Sequence, residues 1–240
     1  RNVDRGSELS YKSFSDVSPK INLTFKRDNF STWNFALSKG FRSPSLSELF
    51  LQYESDYGLN TQGNPNLEPE QLYGLDISFD RSNKSNLTYS VSTFYYKYED
   101  MIDFVYGLPV IALNRSDISS CGLESNISYQ LNTNFNLDLG YTYLRVNDIN
   151  DIDPILYRPN HKLISSIKYK SNNIRHIISM RYQSEQDYQD FLSDEREYEG
   201  SEIKFPIEQL DSLILFNYIG SYELNNRAVS YTHLTLPTMS

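Results

Sequence analysis

The sequence predicts an all-β protein, an antiparallel meander of about nine or ten long strands that forms a partial, open wall of a transmembrane β-barrel. Three observations predict this fold. Apolar and polar residues alternate over segments of about ten residues. Short polar turns alternate with longer connections along the chain. No run of residues is apolar enough for a membrane-spanning helix.

Composition sets the first limits. The chain has 240 residues and a net charge of −9, and hydrophobic residues make up 39% of it. A barrel strand needs an apolar side chain only at every second position, so this modest fraction is compatible with a membrane protein. The 20 tyrosines and 13 phenylalanines suit the levels where a barrel wall meets lipid headgroups. No basic stripe is present, so nucleic acid is not an expected partner.

The residues that most often hold metals give no metal site. A lone cysteine, Cys121, forbids a disulfide within the chain, and no Cys/His spacing typical of zinc occurs. Cys121 is in phase with Leu123, which predicts that it faces lipid. His161 stands at a strand start without a partner at ligand spacing, which favours a structural role. His176 is in phase with the lipid face and is expected near a rim.

Nine segments carry the alternation that predicts strands. They span residues 21–25, 33–37, 73–79, 87–104, 123–129, 135–143, 163–169, 174–182 and 210–224. The clearest is 135–143, where Phe135, Leu137 and Leu139 alternate with Asn136 and Asp138. The segment 163–169 is broken in phase at residue 164, and the last segment is apolar on both faces around 213–216.

The connections are sorted by length. Residues 27–31, 81–85, 132–134 and 171–173 are short, polar and rich in Asn and Ser, whereas 41–70, 106–114, 146–158 and 186–205 are longer. Short turns at one rim and long loops at the other are typical of bacterial outer-membrane barrels. The alternative is a soluble all-β sandwich with one solvated face per sheet, whose strands would be nearer 5–6 residues.

Two sequence boxes occupy the first long connection. Residues 41–50 read FRSPSLSELF and residues 63–70 read GNPNLEPE, and further landmarks follow at 94–102, 122–124, 141–144 and 157–163. In this order they resemble the motifs of TonB-dependent outer-membrane receptors, over about residues 10–226. The motif residues are Phe41, Arg42, Pro44, Glu48, Leu49, Asn64, Pro65, Asn66, Leu67, Pro69, Glu70, Arg158, Pro159 and His161.

The resemblance implies a receptor of the Gram-negative outer membrane with a barrel of roughly 22 strands and an N-terminal plug. Such receptors take up scarce nutrients, usually ferric siderophores, haem or cobalamin, when an inner-membrane TonB complex pulls on the plug. This chain would be a fragment from the second half of the barrel. We expect the signal peptide, the plug and the segment that contacts TonB to lie in a missing N-terminal part. The resemblance implies no cofactor and no catalytic group.

The loop between the boxes suggests a ligand site. Tyr53, Asp56 and Tyr57 could contact a siderophore or another iron complex. Haem receptors that resemble this chain carry a histidine between the boxes, and residues 45–62 contain none, which disfavours haem. Arg42 and Pro44 should end a strand and begin the loop, because proline cannot donate to a strand ladder. Two readings of the boxes stay open: loop architecture alone, or direct ligand contact.

The last residues interrupt the pattern. Residues 229–240 resemble the translation of a common transposon-derived sequencing adapter, and Pro237 falls where a closing strand is expected. We therefore expect a partial receptor barrel domain at 1–228 and a non-native tail at 229–240. The alternative is a short edge strand.

Two other functional classes share parts of the pattern. A passive porin or hydrophobic-compound channel would show the same alternation but should lack the ordered boxes. An outer-membrane hydrolase would need a placed Ser/His/Asp set, yet only two histidines precede the tail and neither has an obvious partner. The sequence thus favours a receptor that transports an iron chelate or cobalamin over an enzyme.

Overall fold

The computed structural model describes residues 13–54, 60–82, 86–105, 109–114, 117–149, 156–190, 193, 195, 197–199, 202–225 and 228–239. Its elements are almost all strands. In chain order they are β1 (Lys20–Lys26), β2 (Ser31–Arg42), α1 (Leu46–Phe50), β3 (Gln52–Tyr53), β4 (Thr61–Gln62), β5 (Glu70–Ser82), β6 (Leu87–Glu99), β7 (Ile102–Val105), β8 (Val110–Asn114), β9 (Ile118–Gln130), β10 (Phe135–Asp148), β11 (His161–Ser171), β12 (Ile174–Gln183), β13 (Gln186–Gln189), β14 (Glu197–Glu199), β15 (Glu202–Lys204), β16 (Ile207–Leu210), β17 (Leu213–Asn225) and β18 (Ala228–Met239).

One large sheet dominates the molecule. Ten strands lie in the order β1-β2-β5-β6-β9-β10-β11-β12-β17-β18, and each pairs antiparallel with the next. Within the described residues β1 and β18 are open edges, so the predicted open antiparallel meander is confirmed. Among those same residues, no helix is long and apolar enough to cross a membrane.

The strand register gathers apolar side chains on one face. A single row across five strands runs Tyr129, Leu137, Ile167, Ile178 and Tyr218. The aliphatic members of this row are exposed, Ile178 at 53%. A continuous exposed apolar face on a sheet this wide is typical of a barrel wall in contact with lipid. We call it the lipid face, and Cys121 belongs to it because Cys121 pairs with Tyr95.

Aromatic rings mark the two ends of the lipid face. At the short-turn end, ring centroids of Trp33 and Phe79 lie 4.7 Å apart. His176 is stacked between Tyr169 and Tyr218 at the same end, with centroid distances of 6.1 and 5.9 Å. At the long-loop end, His161 packs against the rings of two tyrosines of β10, Tyr141 and Tyr143. Two aromatic belts on a barrel wall indicate the two headgroup levels of a bilayer.

The opposite face is polar, and we call it the luminal face. The row adjacent to the one above reads Ser128, Asp138, Ser166, Ser179 and Asn217. A one-residue step along each strand therefore moves from lipid contact to hydrogen-bonding side chains, as the alternation predicts.

The structure departs from the sequence analysis at three places in the strands. The last segment is expected to begin at residue 210, but Leu210 ends β16 and β17 begins at Leu213. The alternation of 87–104 predicts one strand, but β6 ends at Glu99 because Asp100 has a φ of 54°, and β7 begins afresh at Ile102. The pattern is also expected to stop before residue 229, whereas Ala228–Met239 pairs with β17 as the edge strand β18. Pro237 lies in that edge strand, the position in a sheet that tolerates a missing N–H donor. The assignment of residues 229–240 to a non-native tail stays a prediction.

Candidate functional site

The first long connection folds into a helix held at its start by a capping box. The hydroxyl of Ser45 accepts a hydrogen bond from the backbone N–H of Glu48 at 3.2 Å. The Glu48 carboxylate accepts one in return from the backbone N–H of Ser45 at 2.7 Å. This reciprocal pair satisfies two N–H groups at the start of a helix and fixes where α1 begins. The sequence Ser45-Leu46-Ser47-Glu48 has the required spacing.

Arg42 links both boxes through charge. Its Nε and Nη2 atoms each donate to a Glu70 carboxylate oxygen at 2.5 Å. Its Nη1 atom donates to both Glu48 oxygens, at 3.1 and 3.0 Å. The Glu48 and Glu70 side chains are only 13% and 14% exposed, so the guanidinium neutralises two largely buried carboxylates at the end of β2.

The environment of Glu48 shifts its titration. Partial burial on its own raises the pKa of this carboxyl group. The hydrogen bonds from Ser45 and the ion pair with Arg42 outweigh that effect, so the net pKa of Glu48 lies below its ordinary value. Glu48 is therefore a carboxylate in the folded loop.

The second box is shaped to fit against the helix. The Gly63 N–H donates to the Leu51 carbonyl at 2.6 Å, and the Asn64 N–H donates to the Glu48 carbonyl at 2.8 Å. A β-carbon at position 63 would lie 2.6 Å from the backbone nitrogen of Phe50, so only glycine permits this approach. The amide oxygen of Asn64 accepts from the Asn66 N–H at 2.9 Å, which makes a local turn.

A second long connection joins the first. β4 pairs in parallel with β8, and the strands β3-β4-β8-β7 form a separate four-stranded sheet. Asn114 bridges the two connections: its amide donates to the carbonyls of Glu68 and Asp100 and accepts from the Glu68 N–H. Glu70 also accepts from the Ile102 N–H at 2.7 Å. Residues 43–54, 60–69 and 100–114, as far as the structure describes them, thus form one unit, which we call the two-loop platform.

The platform holds the hydrophobic core found among the described residues. Leu67 and Ala112 are 0% exposed and pack with Leu49 and Ile102, with Phe104 against them. Among the described side chains of the main sheet there is no comparable buried cluster, because the apolar face of the sheet points outward. A small covered core makes a loop pair rigid in a way that hydrogen bonds exposed to water would not.

Most motif residues meet in or beside the platform. Arg42, Glu48, Leu49, Asn64, Leu67 and Glu70 make the contacts above, and Pro44 is buried. Phe41 belongs to β2, opposite Gln71 of β5. These contacts join the two boxes, and both readings of the boxes, loop architecture alone or direct ligand contact, stay predictions. Pro65, Asn66 and Pro69 lie in the connection between β4 and β5.

The landmark at residues 157–163 lies elsewhere along the rim. His161 opens β11, its Nδ1 atom is 2.9 Å from the Tyr141 hydroxyl, and its backbone N–H donates to the Ser184 hydroxyl. Pro159 is buried and Arg158 is exposed. This cluster joins the loop after β10 to the loop after β12, and the structure does not bring it to the platform.

The structure describes one of the three proposed ligand residues. Tyr53 lies in β3 and is 57% exposed, whereas Asp56 and Tyr57 lie outside the described residues. Beside Tyr53 the platform exposes apolar side chains that the sequence analysis did not single out, Leu46 at 78% and Phe50 at 48%. Their spacing on a short helix, with Leu49 buried between them, is the signal that could have predicted this exposed face.

Within the part of the chain that the structure describes, no group of three or more His, Cys, Asp or Glu side chains could hold a metal ion. The platform instead exposes the rings of Phe50 and Tyr53 and the aliphatic side chain of Leu46. Such a surface suits an organic molecule better than a bare cation.

Comparison with known proteins gives the same assignment at the level of family. The family described as "TonB dependent receptor-like, beta-barrel" matches residues 1–238. The chain is 24% identical over 177 residues to the iron-regulated outer membrane virulence protein of Vibrio cholerae serotype O1, a match that covers 66% of this chain and 27% of the relative. The chain thus spans about a quarter of the length of the curated relatives it matches.

Solved structures share the fold. The ferric enterobactin receptor of Pseudomonas aeruginosa superposes with a TM-score of 0.69 at 16% identity, over 90% of this chain and 34% of the receptor. The copper transporter OprC gives a TM-score of 0.69 at 18% identity, over 89% of this chain and 32% of the transporter. The siderophore receptor PirA of Acinetobacter baumannii gives 0.66 at 13% identity, over 87% of this chain and 35% of PirA.

Three observations point to the same family. The boxes occur in order, the open sheet has one apolar and one polar face, and the family match covers nearly the whole chain. The long-loop rim is accordingly the cell exterior, and the short-turn rim is the periplasmic side. This chain belongs to the TonB-dependent receptor family, as part of the β-barrel wall in the outer membrane.

Proposed function

We propose that the complete receptor takes up a ferric siderophore, and that this chain supplies the two-loop platform at its outer entrance. The observation that carries the proposal is that the platform, whose base is fixed by Arg42, exposes the side chains of Leu46, Phe50 and Tyr53. Siderophores wrap iron in organic groups, often aromatic ones, so they present rings and amides to a receptor. Exposed aromatic and aliphatic side chains at the outer entrance suit such a molecule.

The relatives support an iron chelate over a bare ion. One is an iron-regulated outer membrane protein, and two of the structural neighbours bear names that refer to siderophores. OprC is a copper transporter, but the described residues of this chain hold no cluster suited to a free cation. Tyr53, Asp56 and Tyr57 remain our proposed contacts with the chelate.

We propose that the energy for uptake comes from outside this chain. Uptake through this receptor is driven by the TonB complex, which acts on the N-terminal part of the complete protein. This chain itself forms part of the barrel wall and carries the two-loop platform.

Radioactive iron uptake by cells that express the complete gene tests the proposal. Iron-starved cells lacking other siderophore receptors are given ferric enterobactin, and parallel cultures receive copper or labelled cyanocobalamin. We expect TonB-dependent uptake of the ferric chelate and none of copper. Uptake of cyanocobalamin alone would replace the siderophore by cobalamin. Equal uptake in cells lacking TonB would indicate a passive channel instead.

A further inference from the structure

Tyr53 lies in a strand that is too short to hold its own position. β3 and its partner β4 have two residues each, and Tyr53 lies opposite Thr61. A two-stranded ribbon is only marginally stable in water even when it is longer. The position of Tyr53 therefore depends on the strand that pairs with the other side of β4.

That strand belongs to the second long connection. Val110 of β8 lies opposite Thr61, and the Val110 N–H donates to the Asn60 carbonyl at 2.7 Å. Val110 is buried, at 6% exposure, whereas Tyr53 in the same row is 57% exposed. The row Tyr53, Thr61 and Val110 thus connects an exposed ring of the first loop to a buried residue of the second.

The other end of β8 is held by the side chain of Asn114. Its Nδ2 atom donates to the carbonyl oxygens of Glu68 at 2.9 Å and Asp100 at 2.7 Å, and its Oδ1 atom accepts from the Glu68 N–H at 2.7 Å. Asp100 has a φ of 54°, and a backbone of this kind persists only where its surroundings hold it. One amide thus fixes β8 to the second box and to the point where β6 ends.

We propose that Asn114 is a positioning residue for ligand binding, which sets the place of β8 and, through β4, the place at which Tyr53 meets the chelate. The inference rests on the proposed uptake function and assigns the second loop a part in it. β8 spans Val110–Asn114, so at about 3.3 Å per residue Asn114 lies roughly 13 Å along the strand from the row of Tyr53. Asn114 therefore acts through the strands, because a loop that is already ordered loses less entropy when it binds.

The chemistry of the bridge decides the test variants. Asn114→Ala removes both the donor and the acceptor. Asn114→Asp keeps the size of the side chain, but a carboxylate has no N–H for the two carbonyl oxygens. Both variants should release β8 from Glu68 and Asp100. The matched control is Asn173→Ala, which removes a bond of the same kind, from an asparagine amide to the Glu223 carbonyl, at the periplasmic rim.

Binding of iron-labelled ferric enterobactin to cells that express the complete receptor, measured on ice, tests the proposal as a double-mutant cycle. We expect Asn114→Ala and Asn114→Asp to raise the Kd about tenfold and Asn173→Ala to leave it unchanged. A general folding defect would instead lower the number of binding sites. In a receptor with Tyr53→Ala, Asn114→Ala should raise the Kd by less than about twofold, because the ring that it positions is gone. An equal rise in both backgrounds, or no rise at all, would overturn the proposal.

A spin label tests the positioning without a ligand. In the complete receptor with Cys121→Ser, a nitroxide is attached at Tyr53→Cys and its mobility is measured by electron paramagnetic resonance. We expect Asn114→Ala to make the label more mobile and Asn173→Ala to leave it unchanged. Unchanged mobility in Asn114→Ala would refute the positioning role. If the unmodified receptor binds no ferric enterobactin, the proposed function fails, and the mobility of the label still decides whether Asn114 positions residue 53.

Discussion

Arg42, the last residue of β2, lies opposite Glu70, the first residue of β5, and the two side chains make a two-pronged ion pair with both N–O distances at 2.5 Å. The pair stands where the membrane wall ends and the two-loop platform begins. Glu70 extends the connection by accepting from the Ile102 backbone of the second loop. One arginine thus connects the wall, the helix and both loops.

Removal of that arginine should loosen the platform. Arg42→Ala leaves Glu48 and Glu70 close together without a counter-charge, and because the arginine is 45% exposed we expect a loss of only about 1 kcal/mol. Proteinase K digestion of intact cells measures the effect as faster cleavage within residues 43–69. Arg145→Ala is the control, since Arg145 is an arginine near the same rim that donates to Asn147. Equal cleavage of the two variants would contradict the role of Arg42.

Gly63→Ala should be more disruptive than its size suggests. The added methyl group would meet backbone atoms of Leu49, Phe50 and Leu51 at 2.6–2.7 Å, which cannot move without unseating α1. We expect about 1–3 kcal/mol of destabilisation of the platform. Gly40→Ala is the matched control, because its nearest contact would be an ordinary 3.6 Å to Leu72. Protease resistance of the loops compares the two, and a Gly63→Ala receptor as resistant as Gly40→Ala would show that the close approach is not needed.

Acid should weaken the platform through Glu48. Its pKa is lowered in the folded state, so its stabilising contribution is present above the ordinary value of 4.5 and is lost as pH falls through the lowered folded value. Hydrogen exchange of the α1 amides across this range, from neutral pH downward, measures the loss. Glu48→Gln keeps an acceptor for Ser45 but has no charge to lose, so it should flatten the acid dependence. An identical profile in both proteins would assign the effect to another group.

A charged side chain should destabilise the receptor more on the lipid face than on the luminal face. Leu139→Arg places a guanidinium on the outward side of β10 and should cost about 2–4 kcal/mol near the bilayer centre. Thr142→Arg, on the luminal side of the same strand, should cost much less. The folded fraction of the complete receptor, read from heat-modifiable migration, reports the difference. A reversed order would mean that the two faces are exchanged.

The strands were predictable because their signal is local. In β10, Phe135, Leu137 and Leu139 alternate with polar residues, so period and phase are both read from neighbours in sequence. The end of β6 was not predictable from the sequence, because it depends on the positive φ of Asp100. The alternation of residue types continues across Asp100 and does not reveal that φ. β18 was expected to be absent because its tail resembles foreign sequence.

The platform was predictable only in part. The capping box at Ser45 and the turn at Asn64 follow from residue types at fixed spacing. The pairing of β4 with β8 does not, since each strand is short and the partners are far apart in sequence. Asn114 is a single polar residue at the end of a loop strand, and only the folded chain shows that it bridges Glu68 and Asp100.

Labelling from the two sides of the outer membrane tests the central claim most directly. In the complete receptor with Cys121→Ser, one variant carries Tyr53→Cys in the platform and the other carries Asn172→Cys in the short turn between β11 and β12. An impermeant maleimide should label the Tyr53→Cys receptor on intact cells. It should label the Asn172→Cys receptor only after the outer membrane is permeabilised. Labelling of both on intact cells, or the opposite pattern, would contradict a membrane wall that carries its platform on the outside.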